Sequence, residues 1–140
     1  MSEEGTIELR IDQFSEIDCN AEFVNAPAYI YGLHWKISAV VLRSKALLVY
    51  VQCDEEADDP NWSCQASIEL RVVSQKAGVD DHVRKFVKTF SSNRPEHGYL
   101  ISSNVYVCSD ILLDPENGFI KDDTVILRVH VKAEMPQSAQ

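Results

Sequence analysis

The chain has 140 residues, of which 45% are hydrophobic and 25% charged, as is typical of one globular domain. Its 13 basic and 22 acidic residues give a net charge of −9, which argues against nucleic acids and membranes as partners because phosphate backbones and anionic lipids are repelled. The sequence has neither the roughly 20 consecutive apolar residues of a membrane span nor an N-terminal signal-peptide pattern, so we expect a cytoplasmic or nuclear protein.

Apolar and polar side chains alternate along most of the chain, which is the pattern of half-buried β-strands. In chain order, the alternating runs are residues 6–11, 34–41, 47–53, 68–73 and 125–132. Turn-forming residues separate them, mainly at residues 54–61, 91–95 and 114–118. Many short strands without intervening helices predict an all-β antiparallel sandwich.

Residues 79–90 fit two structures. The apolar side chains of this segment have the spacing of one face of an amphipathic helix; they are Val79, Val83, Phe86 and Phe90. The same segment can also form an irregular strand, and periodicity alone does not decide between the two.

The predicted core consists of large apolar residues on the inward strand faces. They are Phe14, Trp35, Trp62, Leu70, Phe119, Leu127 and Val129. The four cysteines include no C-x-x-C pair, which gives little support for a zinc site. We interpret them as buried thiols, with a disulfide between Cys53 and Cys64 across a hairpin as the alternative.

The reactive residues form no recognisable catalytic set. The sequence has no G-x-S-x-G motif, no glycine-rich phosphate loop and no pair of histidines at metal-binding spacing. Asp122 and Asp123 fit a turn before the last strand better than a carboxylate pair, and the acidic residues at 54–59 lack the spacing of a calcium loop. We therefore expect no enzyme activity, metal or cofactor in this chain, and a sheet edge or groove that holds an extended peptide.

Several motifs, in the same order, resemble the MATH (meprin and TRAF homology) domain family. They are IDQFSEI at residues 11–17, GLHWKI at 32–37, YVQC at 50–53, NWSCQA at 61–66 and DPENGFIKDD at 114–123. The last three resemble the ubiquitin-specific-protease subgroup of the family. The resemblance covers about residues 6–134. It implies a single domain over residues 1–140, an eight-stranded antiparallel β-sandwich of TRAF/MATH type, and a largely extended segment 79–90.

The resemblance also implies a function. In this subgroup the domain recognises substrates for a ubiquitin-specific protease, and a shallow groove holds short extended segments of the type Pro/Ala-x-x-Ser. One alternative is the MATH domain of a MATH–BTB adaptor for a cullin ubiquitin ligase. Another is a structural or oligomerising TRAF-type domain, but no heptads precede Thr6, so we expect a monomer.

The groove residues of the family carry over one position at a time. The matching positions are Arg43, Tyr50, Glu96, His97, Gly98, Tyr99 and Asn104. By this resemblance Tyr50 forms the floor of a pocket for the small Pro/Ala side chain. Glu96 accepts the hydrogen bond of a peptide serine, a charge-assisted bond of about 1.5–3 kcal/mol.

His97 stands where the family has tryptophan. The imidazole is smaller and more polar, so the lost apolar area weakens binding by about 1–2 kcal/mol, or roughly ten-fold. Glu96 also places its carboxylate one methylene further out than the aspartate of the family. We therefore expect a groove that binds weakly or prefers a different motif, with an affinity that changes between about pH 5 and 8 as His97 titrates.

Overall fold

The computed structural model describes residues 2–18, 22–24, 28–30, 33–54, 62–91, 101–135 and 137–138. The strands are β1 (Ser2–Ile11), β2 (Glu22–Val24), β3 (Ala28–Ile30), β4 (Leu33–Val41), β5 (Leu47–Asp54), β6 (Trp62–Val72), β7 (His82–Ser91), β8 (Ile101–Val107), β9 (Ile120–Lys121), β10 (Thr124–Glu134) and β11 (Gln137–Ser138). A 3₁₀ turn at Phe14–Glu16 and a one-turn helix, α1 (Ser109–Leu112), are the helical elements of these residues. None of these helical elements is long enough to cross a membrane.

The strands form two antiparallel sheets, which confirms the predicted sandwich. In the first sheet β1 pairs with β10, β10 with β6, and β6 with β7. The two-residue strands β9 and β11 pair with β10 and β6, respectively. In the second sheet β2 and β3 both pair with β4, followed by β5 and then β8. When β2 and β3 are counted as one interrupted strand and the two-residue strands β9 and β11 are set aside, the described strands number the expected eight.

The two sheets bury one side of each strand in a shared core. On β10 the buried residues are Val125, Leu127, Val129 and Val131, and on β4 they include Trp35, Ile37, Ala39 and Val41. Trp35 links the sheets, since its ring packs edge-to-face on Phe90 of β7 with 5.0 Å between ring centroids. The predicted core residues are confirmed as buried, apart from Trp62, whose side chain lies outside the described part.

The ambiguous segment 79–90 is mainly strand β7, and the helix alternative is wrong. Residues 82–91 pair in register with residues 63–72 of β6, so the backbone hydrogen bonds go to a neighbouring strand. Phe90 is fully buried, whereas Phe86 is only half-buried, because β7 is an edge strand whose inward positions become uncovered toward its start.

Asp122 and Asp123 form the predicted turn. Both have positive φ angles, 52° and 58°, and they connect β9 to β10 directly, with Lys121 and Thr124 as paired residues. The Asp123 carboxylate accepts hydrogen bonds from the Ser15 amide at 2.9 Å and the Ser15 hydroxyl at 2.7 Å. The Phe14 amide donates to the Asp123 carbonyl at 2.8 Å, so this turn holds the 3₁₀ segment over the core.

Cys53 and Cys64 are buried but do not face each other across a hairpin. Cys53 lies on β5 in the second sheet and Cys64 on β6 in the first, so the chain passes between sheets at this point. Cys64 is a free thiol that donates to the Glu134 carbonyl at 3.2 Å. Burial, with a smaller contribution from the charge of Glu134, raises the pKa of Cys64 to about 11.

Candidate functional site

The outer face of the second sheet carries the best-placed of the predicted site residues. The alternate residues of β5 are buried in the core, so Leu48, Tyr50 and Gln52 point away from it and are half-buried. Tyr50 lies on a central strand of this sheet, with β4 on one side and β8 on the other. An aromatic ring at this position offers an apolar surface and a hydroxyl to a ligand lying across the sheet.

The register brings Tyr50 and Asn104 together. Their Cα atoms are directly opposite each other in the β5–β8 pair, and such partners have Cβ atoms about 4.5–5.5 Å apart on the same face. For Asn104 the structure describes the backbone and not the side chain. The two residues that the resemblance assigns to one groove therefore share one face, on adjacent strands.

Arg43 lies away from this pair. It is exposed in the turn between β4 and β5, which is closed by a hydrogen bond from the Leu42 amide to the Ala46 carbonyl at 2.9 Å. Tyr50 is three positions beyond Leu47, the first residue of β5, which corresponds to about 10 Å along the strand. The structure thus places Arg43 at one end of the face rather than beside Tyr50.

Glu96, His97, Gly98 and Tyr99 lie outside the described residues. They fall between Ser91, where β7 ends, and Ile101, where β8 begins. They connect β7 to β8, which are the edge strands of the first and second sheet among the described strands. Asn104 lies further along β8. The assignment of these four residues to the groove stays a prediction.

Two further residues of the outer face, Ser38 and Tyr106, are not among the site residues predicted from the sequence. Ser38, the β4 partner of Tyr50, is 1% exposed, and its hydroxyl has no hydrogen-bond partner among the described residues. Tyr106, two positions after Asn104 on β8, is 52% exposed. Alternation along residues 101–107 could have identified Tyr106, whereas nothing in the local sequence marks Ser38 as buried.

The described ranges contain no group of three histidine, cysteine, aspartate or glutamate residues close enough to hold a metal ion. The described side chains of the outer face include Tyr50, Gln52 and Tyr106, which offer aromatic surface, hydroxyl groups and an amide, and these groups suit binding. The geometry therefore defines a class of protein: an antiparallel β-sandwich with a polar and aromatic sheet face next to an edge strand.

Comparison with known proteins identifies the family. Residues 6–131 match the family model described as the MATH domain, and the chain belongs to this family. The match covers both sheets, from β1 to β10, and MATH domains are protein-interaction modules. The sequence-based resemblance is thereby confirmed.

The relatives are longer proteins. The chain is 31% identical over 121 residues to ubiquitin carboxyl-terminal hydrolase 7 of Drosophila melanogaster, covering 86% of this chain and 10% of that protein. It is 30% identical over 103 residues to BTB and MATH domain-containing protein 38 of Caenorhabditis elegans, covering 69% of this chain and 26% of that protein. BTB and MATH domain-containing protein 36 of the same organism is 24% identical over 133 residues, which cover 91% of this chain and 40% of that protein. The chain thus spans less than half the length of each of these relatives.

Proposed function

We propose that this chain is a substrate-recognition domain that binds short extended peptide segments on the outer face of the second sheet. The observation that carries the proposal is the position of Tyr50, half-buried at the centre of that face and directly opposite Asn104 of β8. An extended peptide lying beside β8 would be about 10 Å from β5, so a long side chain on the outer face could reach across β8 toward Tyr50. The peptide class expected from the family resemblance is Pro/Ala-x-x-Ser.

The physical basis of binding would be divided between backbone and side chains. Among the described strands, β8 has β5 on one side and none on the other, so it can accept the backbone hydrogen bonds of an added strand. Glu96 is proposed to accept the hydrogen bond of the peptide serine.

We propose that this recognition serves ubiquitin removal, with the catalytic residues elsewhere in a longer protein. The similarity to a ubiquitin carboxyl-terminal hydrolase over 86% of this chain supports the proposal. A second candidate is substrate recognition in a BTB-containing adaptor, which the similarity to two BTB and MATH domain-containing proteins supports. Both candidates assign the same task to this chain and differ in what it is attached to.

A binding measurement with a matched control tests the proposal. Fluorescence anisotropy of labelled Pro/Ala-x-x-Ser peptides gives the dissociation constant, and we expect Tyr50→Ala to raise it about ten-fold or more because the apolar floor is lost. Lys132→Ala serves as the control, since Lys132 is exposed on β10 in the other sheet. Unchanged affinity in Tyr50→Ala, with the fold intact by circular dichroism, would refute the proposed site.

A further inference from the structure

The loop that follows α1 contains an asparagine directly before a glycine, at Asn117 and Gly118. Asn117 is the only one of the six asparagines in the chain that precedes a glycine. In such a pair the side-chain amide of the asparagine is open to attack by the next backbone nitrogen, because glycine has no side chain to shield that nitrogen. The sequence therefore contains one position at which an asparagine can react readily with its own backbone.

The fold requires glycine at position 118. Gly118 has a φ angle of 67°, in the left-handed region that side chains disfavour, and a Cβ added there would overlap the Cβ of Lys76. The Gln75 amide also donates to the Gly118 carbonyl at 2.7 Å, which keeps the loop after β6 in contact with the loop after α1. A test of the pair must therefore change Asn117 or its neighbours rather than Gly118.

The Asn117 side chain holds α1 in place. It is half-buried, and its Nδ2 group donates to the Ile111 carbonyl at 2.9 Å. Ile111 in turn packs against the core. Because α1 begins at Ser109, two residues after β8 ends at Val107, this hydrogen bond ties the loop to the end of β8.

Three further hydrogen bonds restrain the backbone of the pair. The Asn117 amide donates to the Asp114 carbonyl at 3.1 Å, the Ser74 hydroxyl to the Asn117 carbonyl at 2.8 Å, and the Gln75 amide to the Gly118 carbonyl at 2.7 Å. Together with the Nδ2 bond they fix both the side-chain amide and the peptide that would attack it. Reaction requires these groups to reorient, so we expect it to occur from the state in which the loop has opened.

We propose that Asn117 is a site of spontaneous deamidation, gated by opening of the loop, and that the product releases α1. The Gly118 nitrogen forms a bond to Cγ of Asn117, its proton goes to the departing Nδ2 group, and ammonia leaves. Water then opens the resulting succinimide ring at one of its two carbonyls, which gives aspartate or isoaspartate at position 117. Water is the only co-reactant.

Both products weaken the loop. A carboxylate in place of the amide accepts hydrogen bonds and cannot donate to the Ile111 carbonyl, so two acceptors face each other. It also adds negative charge to a loop that already carries Asp114 and Glu116, in a chain whose net charge is −9. Isoaspartate lengthens the backbone by one methylene, which does not fit the close contact between Gly118 and Lys76.

A purely structural role for Asn117 is the alternative. In that case the hydrogen bond to Ile111 keeps the amide intact, and the chain is modified no faster at Asn117 than at its other asparagines. The two explanations differ in the chemical fate of the side chain, which mass spectrometry measures directly.

Incubation of the folded chain at neutral pH, followed by proteolysis and mass spectrometry, tests the proposal. We expect the mass gain of an amide-to-carboxylate exchange at Asn117 well before the other asparagines, and faster in the chain unfolded in urea. Ser74→Ala should accelerate it about five-fold, because losing one ordinary hydrogen bond raises the open fraction by about that factor. Ser67→Ala, at an exposed position of β6, is the matched control and should leave the rate unchanged.

Urea unfolding measures the consequence for the fold. The deamidated chain and Asn117→Asp, which reproduces one product, should both have a lower midpoint than the parent. Gln65→Glu makes the same amide-to-carboxylate exchange at an exposed position of β6 and should leave the midpoint nearly unchanged.

Each part of the proposal has its own refuting result. Equal modification of Asn117 and the other asparagines would overturn the site. Equal rates in Ser74→Ala and Ser67→Ala, or in the folded and unfolded chain, would overturn gating by the loop. A parent-like midpoint for Asn117→Asp would overturn the release of α1. None of these measurements depends on peptide binding at Tyr50, so a failure here is distinguishable from a failure of the proposed function.

Discussion

Replacing Trp35 tests the packing between the two sheets. Trp35 is fully buried on β4 and packs edge-to-face on Phe90 of the opposite sheet at 5.0 Å. Trp35→Ala removes this contact and leaves a cavity, which costs about 3–5 kcal/mol. A domain of this size has only about 5–15 kcal/mol of total stability, so the variant loses a large fraction of it. Trp35→Phe is expected to cost less, because the indole N–H that it removes has no hydrogen-bond partner among the described residues.

Equilibrium unfolding in urea measures this effect. The midpoint is expected to fall strongly for Trp35→Ala and modestly for Trp35→Phe, with the m-value of each close to that of the parent. Val87→Ala is the matched control, since Val87 is 61% exposed on β7 and its replacement should change the free energy of unfolding little. A parent-like midpoint for Trp35→Ala would refute the assignment of Trp35 to the centre of the core.

Three further predictions follow from individual side chains. The pKa of Cys64 is raised from 9.0 to about 11, so its reactive thiolate is scarce at pH 8. We expect iodoacetamide to alkylate Cys108, which is only partly buried, much faster than Cys64, as followed by mass spectrometry; equal alkylation rates would contradict this. Burial, and secondarily the charge of Arg84, lower the pKa of His82 below 6.5, so the folded state favours the neutral imidazole and stability falls as the pH drops through 6.5. The melting temperature of His82→Gln should depend less on pH than that of the parent; an unchanged pH dependence would refute this prediction. Asp123→Ala removes both hydrogen bonds to Ser15 and also strains the turn, because Asp123 has a positive φ, so it should cost about 1–3 kcal/mol or more in urea unfolding. Asp123→Asn tolerates this backbone conformation and keeps one acceptor oxygen, so it should cost less; equal losses would contradict this account.

The strands with a buried face were predictable from their period-two pattern. On β10 every second residue from Val125 to Val131 is apolar and buried, and β4 and β5 behave in the same way because both are central strands. Strand β7 was ambiguous because two of its inward positions hold Arg84 and Lys88, which disrupt the alternation. Pairing with β6 determines the structure of this segment, and pairing partners cannot be read from a local pattern.

The placement of Cys53 and Cys64 shows a second limit. The turn-rich residues at 54–61 predict that the chain reverses, but they do not indicate whether the next strand joins the same sheet. The structure places β5 and β6 in different sheets, so the two thiols are not hairpin partners. Which sheet a strand joins depends on pairing with strands that are distant in sequence and on burying the apolar side of each sheet.

The candidate site was predictable where it depended on a single strand. Tyr50 was identified from the family resemblance, and its outward direction follows from the alternation of β5. Ser38 was missed because its burial depends on neighbours that are distant in sequence. It lies on β4 between neighbouring strands of the second sheet.

The central claim is that an extended peptide binds across the outer face of the second sheet at Tyr50. Amide chemical shifts recorded by NMR during titration with a Pro/Ala-x-x-Ser peptide test this most directly. We expect shifts concentrated on β5 around Tyr50 and on β8 around Asn104, with β1 and β10 of the other sheet unaffected. Shifts confined to the first sheet, or no saturable shifts at all, would contradict it.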